Sequence, residues 1–291
     1  MSVKKIEVNC GKRPGLGLTT NTFMNFIKKN EITNEQIIKW AHEYGFSWIE
    51  VRDPGLGMTV ESLKQLQDVA DSLHVRLHYA WDINDLLHPN NTLFYRGVEK
   101  ACIFGDKTYS RILIAPESIK NVAAKKGYTK IEFQKIVPLI EKYTEYAKDK
   151  GIIVCFENAF EPIQGDGCEY FGMSELLDAA KEMKTTFDPG NFTNQQQSRA
   201  LPTAATVLEY TCKYKTQIPY FHIKTTVAYN LLPYLAHTQD FDMAAIVAEL
   251  ADAQDRLFCL ELPASETLVE TKANILNSID FLQVQNLVKI R

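Results

Sequence analysis

Short apolar runs alternate with amphipathic helical stretches along the whole chain, and no other feature restricts the fold so strongly. The strand-like runs are Leu16–Phe23, Ser47–Arg52, Val75–Ala80, Ile112–Ala115, Ile152–Glu157, Thr185–Asp188, Tyr220–Lys224 and Leu257–Leu262. Helical patterns follow each of them, at Asn34–Tyr44, Val60–Leu73, Leu93–Phe104, Glu132–Lys150, Ser174–Met183, Thr203–Tyr214, Asp242–Ala253 and Val269–Leu282. Thr33-x-x-Gln36, Thr129-x-x-Glu132 and Thr267-x-x-Glu270 read as capping boxes. Gly45, Gly105 and Gly151 stand where a left-handed residue ends a helix. Successive strand starts lie about 30 to 40 residues apart, the length of a βα unit.

Eight such units without a linker or a change of composition predict an α/β protein built as one (β/α)8 barrel, a single domain over residues 1–291. A rule of about 150 residues per domain would suggest two, but barrels of roughly 250 residues count as one. A doubly wound open sheet would place Gly-x-Gly-x-x-Gly after the first strand, and Leu18-Thr19-Thr20-Asn21-Thr22 is not that turn. The stretches Ala159–Gly172, Asn191–Pro202 and Thr225–Asp240 all follow strands, so they are βα loops on the face where barrels do chemistry.

Charge and cysteine usage exclude several functions. With 32 basic and 36 acidic residues the net charge is −4, and no lysine/arginine block is present to neutralise a nucleic-acid backbone. No apolar run approaches the ~20 residues of a membrane helix, and the opening Met-Ser-Val-Lys-Lys-Ile-Glu lacks the apolar stretch of a secretion signal. The six cysteines, Cys10, Cys102, Cys155, Cys168, Cys212 and Cys259, form no Cys-x-x-Cys pair. Cys155 and Cys259 sit inside apolar strand runs and are expected as buried free thiols. The expectation is a cytoplasmic enzyme or binding protein without nucleic-acid or membrane partners. Homo-oligomerisation stays open.

Four polar residues share one address. Glu157, Asp188, His222 and Glu261 stand at or near the ends of strands five to eight, 31, 34 and 39 residues apart. Strand alternation puts Ile153, Cys155 and Glu157 on one face, Tyr220, His222 and Lys224 on another, and Leu257, Cys259 and Glu261 on a third. If these are the inward faces, the four converge at one rim. Any one alone reads as a solvated carboxylate or a core histidine. Together, three carboxylates would repel one another unless a cation neutralises them. An oxygen-rich set with one nitrogen suits Mn²⁺, Mg²⁺ or Co²⁺, with Zn²⁺ less favoured in the absence of thiolates.

The set Phe156-Glu157-Asn158, Phe187-Asp188-Pro189-Gly190-Asn191, Phe221-His222-Ile223-Lys224 and Leu260-Glu261-Leu262 resembles the xylose isomerase-like TIM-barrel superfamily, more narrowly its sugar phosphate isomerase/epimerase group. Gly45-Phe46-Ser47-Trp48-Ile49-Glu50 around the second strand belongs to the same resemblance. The resemblance implies that Glu157, Asp188, His222 and Glu261 bind the metal, Mn²⁺ first among candidates. It implies further that Glu157 and Glu261 double as the acid/base pair and that Lys224 contacts the substrate or the ligands. Three departures fall in substrate-facing loops. Asn191 stands where many relatives have a histidine, Thr225 replaces an aspartate, and Ala236-His237-Thr238-Gln239-Asp240 replaces a glycine-rich segment.

Other residues are expected around that set. Glu50 and His78 would reach the rim and pair with each other, or else form a structural polar pair. Trp81 and Phe23 would form an apolar wall unless they serve loop packing, and Arg199 would grip a phosphate or carboxylate unless it is merely solvated. His42, His74 and His88 receive no role.

Such a site supports proton abstraction next to a carbonyl, with the metal stabilising the enediolate. The expected function is a metal-dependent isomerase or epimerase of a small carbohydrate. A dehydratase of a cyclic polyol or dehydroshikimate-like compound is the alternative. An apurinic endonuclease would need more than the six histidines present, and a non-catalytic sugar- or metal-binding barrel would show no proton exchange.

Overall fold

In the computed structural model, β1 (Leu16–Thr19) hydrogen-bonds to β2 (Trp48–Arg52) on one side and to β8 (Leu257–Leu260) on the other, which closes the sheet on itself. Between them the ring continues through β3 (Arg76–Ile83), β4 (Tyr109–Ile114), β5 (Ile153–Glu157), β6 (Lys184–Phe187) and β7 (Tyr220–Ile223), each parallel to its neighbours. The structure describes residues 15–83, 86–87, 92–104, 109–114, 127–158, 161–193, 202–237, 239–251 and 256–284. The expected (β/α)8 barrel is therefore the observed fold.

A helix follows each strand: α1 (Asn34–Glu43), α2 (Val60–Ser72), α3 (Thr92–Ala101), α4 (Lys130–Asp149), α5 (Met173–Ala179), α6 (Ala204–Tyr214), α7 (Met243–Leu250) and α8 (Leu268–Val284). The capping boxes of α1 and α4 are complete: Thr33 and Thr129 each accept from the backbone three residues on, and Gln36 and Glu132 accept in return. At α8, Thr267 Oγ1 accepts from Glu270 N. Gly45 and Gly151 adopt φ of 83° and 75° at their helix ends, as a left-handed stop requires. Gly105 lies outside the described residues.

Two boundaries differ instructively from the sequence reading. β1 stops at Thr19, because its Oγ1 accepts from Asn21 N at 3.0 Å and turns the chain into a 3-10 turn over Thr20–Phe23. β3 runs on to Ile83 instead of ending at Ala80. A short antiparallel hairpin, Thr225–Val227 with Asn230–Leu232, was also not expected. Its turn holds Ala228 and Tyr229 at φ of 49° and 60°, without the Asn-Gly pair that usually announces such a turn.

Apolar side chains separate into two cores. The larger lies between the strands and the helices. The smaller fills the barrel itself with Trp48, Cys155, Tyr220, Leu257 and Cys259. Gly17 admits the indole of Trp48, since a Cβ there would stand 2.1 Å from the ring. Trp48 Nε1 donates to Gly15 O at 2.8 Å. Inward residues therefore change character along the axis: apolar packing at the level of Trp48 and Tyr220, polar groups two residues further on at Glu50 and His222. Cys155 and Cys259 are buried free thiols as expected, while Cys10 lies outside the described residues. Among the described residues no helix is long and apolar enough to cross a membrane.

Candidate active site

Glu157 is the last residue of β5. Asp188, Lys224 and Glu261 each follow directly on the end of β6, β7 and β8, and His222 sits within β7. Barrel closure brings them together at the C-terminal mouth. His222 Nδ1 lies 2.8 Å from Glu261 Oε2, 3.2 Å from Glu157 Oε1 and 3.6 Å from Asp188 Oδ2. One ligand atom from each of Glu157, Asp188, His222 and Glu261 falls within 4.8 Å of all the others, and all four residues are buried. Three carboxylates and an imidazole at that spacing suit one divalent ion with a preference for oxygen.

The ends of β5 and β6 are tied by Asn158. Its side chain donates to Asp188 O at 2.7 Å and accepts from Asp188 N at 2.8 Å, a two-point bridge between backbone segments thirty residues apart. Asn191, in the short helix Pro189–Thr193, donates to Glu157 Oε1 at 3.2 Å and to Asn158 O at 2.8 Å. Asn21, just past β1, donates to Glu261 Oε1 at 2.8 Å. Each carboxylate so held loses freedom to swing, which is what a preorganised ligand set needs.

Lys224 is 6% exposed, and its Nζ lies 2.5 Å from Asp188 Oδ2 and 2.7 Å from Glu261 Oε2. Its stem passes over Gly190, where a Cβ would stand 2.4 Å from Lys224 Cδ. Burial alone would lower its pKa, yet the charges of Asp188 and Glu261 raise it above the ordinary lysine value. The same balance governs His222: burial lowers it, but the charges of Glu261 and Glu50 and hydrogen bonds to Asp188 and Glu261 hold it well above the usual histidine range. Burial would raise Glu261, and the cations His222 and Lys224 instead keep it well below the usual carboxylate value. Four buried carboxylates thus share space with Lys224, His222 and, at 4.0 Å from Glu50 Oε1, Arg52.

A second trio, Glu50, His222 and Cys259, also meets within 4.8 Å. It is a poor metal site, because burial and then the charge of Glu50 push the Cys259 thiol well up, and a thiol ligand must be deprotonated.

The other expected residues separate. Glu50 is wholly buried beneath His222 and bonds to Thr19, Tyr220 and His222. His78 is buried beside Glu50 in register, and Trp48 packs edge-on to it at 5.0 Å. Trp81 points away from the mouth into the outer core, 5.6 Å from Tyr79 and 6.3 Å from Phe94, with Gly97 of α3 making room for its indole. Phe23 likewise packs on Trp40. Arg199 and His88 lie outside the described residues. Asn21 and Asn158 were not anticipated. The polar tract Thr19-Thr20-Asn21-Thr22 running on from an apolar strand, and the Asn158 next to Glu157, were the available signals.

No protein-family model and no curated protein sequence matches the chain. Solved structures do. A sugar phosphate isomerase/epimerase from Parabacteroides distasonis superposes with a TM-score of 0.67 at 12% identity, over 97% of this chain and 99% of that one. D-psicose 3-epimerase solved in the presence of D-fructose gives 0.65 at 12% identity, over 93% and 98%. A xylose isomerase-like TIM barrel protein from Mycobacterium smegmatis in complex with magnesium gives 0.60 at 14% identity, over 86% and 88%. At these identities the likeness shows the fold, that of the xylose isomerase-like TIM barrels.

Proposed function

We propose that this chain is a divalent-metal-dependent isomerase or epimerase acting on a small carbohydrate, free or phosphorylated. The observation that carries the reading is the meeting of Glu157, Asp188, His222 and Glu261 within 4.8 Å at the mouth of the barrel. The sugar phosphate isomerase/epimerase and the D-psicose 3-epimerase among the structures of like fold support it, as does the TIM barrel protein solved with magnesium. On its charge balance and fold we read the chain as one domain working in the cytoplasm, without nucleic-acid partners.

Mn²⁺ is the first candidate for the ion, with Mg²⁺, Co²⁺ and Zn²⁺ behind it; when bound it supplies a Lewis acid for neighbouring substrate oxygens. The remaining chemistry belongs to the side chains. Glu157 and Glu261 come from β5 and β8, strands separated by two others in the ring, so they approach a substrate from different sides. One removes the proton from the carbon next to the carbonyl, and the other delivers a proton to the opposite face or to the adjacent carbon. Lys224 offers N–H groups to a substrate oxygen, and Asn191 keeps Glu157 oriented. The buried setting strengthens each of these interactions.

The test is a screen of ketoses, ketose phosphates and inososes in deuterium oxide with added Mn²⁺, read by mass. Gain of one deuterium in substrate or product is the expected result. Glu157→Gln should lower the exchange rate by about 10²–10⁴-fold. A product lighter by one water would reassign the site to a dehydratase. Metal binding without exchange in any compound would favour a non-catalytic barrel, and unchanged turnover in Glu157→Gln would remove that residue from the acid/base pair.

A further inference from the structure

The carboxylate of Glu50 is gripped from three sides inside the barrel. Its Oε1 accepts from Thr19 Oγ1 at 2.8 Å, its Oε2 accepts from the Tyr220 hydroxyl, and the same Oε2 lies 3.2 Å from His222 Nε2. These contacts join β1, β2 and β7, so the residue spans the closing seam of the sheet. Glu50 is 0% exposed, which leaves a substrate no approach to it.

The geometry of His222 gives this position a meaning. A neutral imidazole has one N–H donor and one lone pair, on different nitrogens. His222 turns Nδ1 toward Glu157, Asp188 and Glu261, and Nε2 toward Glu50. An ionised carboxylate only accepts, so a carboxylate facing Nε2 places the ring proton there and leaves the lone pair on Nδ1. Tyr220, edge-on to the His222 ring at 5.2 Å, fixes the ring plane while its hydroxyl fixes Glu50.

We infer that Glu50 is a positioning residue of the metal centre: it takes the Nε2–H of His222 and thereby presents Nδ1 as the ligand atom. The inference rests on the metal-binding reading above and assigns Glu50 to the ligand rather than to the substrate. Partners of this kind orient the ring and raise its basicity, and losing one costs about 10–100-fold in metal affinity.

Mn²⁺ titration of the purified chain, followed by calorimetry or electron paramagnetic resonance, tests it. Glu50→Gln is nearly isosteric and should bind Mn²⁺ about 10–100-fold more weakly than wild type, with circular dichroism unchanged. In a His222→Ala background the same substitution should change Mn²⁺ affinity less than about threefold, because the effect runs through the imidazole. If Glu50→Gln does not fold, Glu50→Asp keeps the charge while drawing it back from Nε2, and the same weakening is expected. Tyr220→Phe removes one of the three grips on Glu50 but keeps the carboxylate and the aromatic edge against His222, so it should lose less Mn²⁺ affinity than Glu50→Gln. In the Mg²⁺-loaded protein with ¹⁵N-labelled histidine, the ring proton of His222 should reside on Nε2. An unchanged Mn²⁺ affinity in Glu50→Gln, an equal loss in the His222→Ala background, or a proton on Nδ1 would overturn the inference alone. Wild-type protein that takes up no Mn²⁺ would bring down the metal reading, and this inference with it.

Discussion

Replacing Lys224 by methionine isolates the charge balance of the site. The two side chains are close in length, so the stem over Gly190 keeps its packing while the ammonium vanishes. What remains is Asp188 and Glu261, both buried, without the cation that sat 2.5 and 2.7 Å from them. Breaking a buried ion pair by removing one partner costs about 3–5 kcal/mol. An unfolding entropy of about 2.1 cal/mol/K per residue gives about 0.6 kcal/mol/K for a chain of 291 residues. The melting temperature of Lys224→Met in EDTA at pH 7 should therefore fall by about 5–8 °C. On the proposed function Mn²⁺ would supply positive charge to the same carboxylates, and at about a hundred times its Kd an ion contributes about 2.7 kcal/mol to any protein that binds it only when folded. The variant lacks the competing ammonium, so its Mn²⁺-induced rise in melting temperature should exceed that of wild type. Scanning fluorimetry or calorimetry at fixed scan rate, with EDTA and with Mn²⁺, reads both numbers. A metal-free variant melting within about 1 °C of wild type would refute the reasoning, since the two carboxylates would then not depend on Lys224.

Two further outcomes follow from the same geometry. His222 is held protonated above its ordinary range in the metal-free chain, so its contribution to stability is complete below about pH 6.5 and fades as the pH rises through the higher folded value. A ligand imidazole must be neutral, so Mn²⁺ binding at pH 7 should release a proton, seen as a dependence of binding heat on buffer ionisation enthalpy; heats that do not vary with buffer would contradict this. Away from the site, Gly17→Ala would drive a Cβ to 2.1 Å from the Trp48 ring and should destabilise by about 1–3 kcal/mol, measured by denaturant unfolding with unchanged slope.

The meeting of the four polar residues was legible because they lie at equivalent depth in successive βα units, where spacing along the chain becomes proximity at a rim. Glu157, Asp188, His222 and Glu261 need only the repeat and strand alternation to be placed together. Glu50 needed more. Its partner His222 is 172 residues away, across a seam that exists only once the barrel has closed with its particular stagger. Trp81 shows how one boundary reverses a side chain. With β3 ending at Ala80, Trp81 is a loop residue free to face the mouth. Because β3 continues to Ile83, alternation sends Trp81 to the helix side. Asn21 is the converse case. An uninterrupted strand to Phe23 would have kept it in the wall, and the Thr19 cap instead lifts it over the rim to Glu261. None of these three turns on residue type, and each turns on where a strand stops or closes.

The indole of Trp48, seated against the bare backbone of Gly17 and backed by Cys155, Tyr220, Leu257 and Cys259, makes the barrel a well with a floor. Among the described residues this floor closes the end of the barrel below His222, so the mouth is the way in. On the proposed function that would impose an order: an ion among Glu157, Asp188, His222 and Glu261 would lie deeper than the sugar above it. A bound sugar would then act as a stopper, and the ion beneath it would leave last.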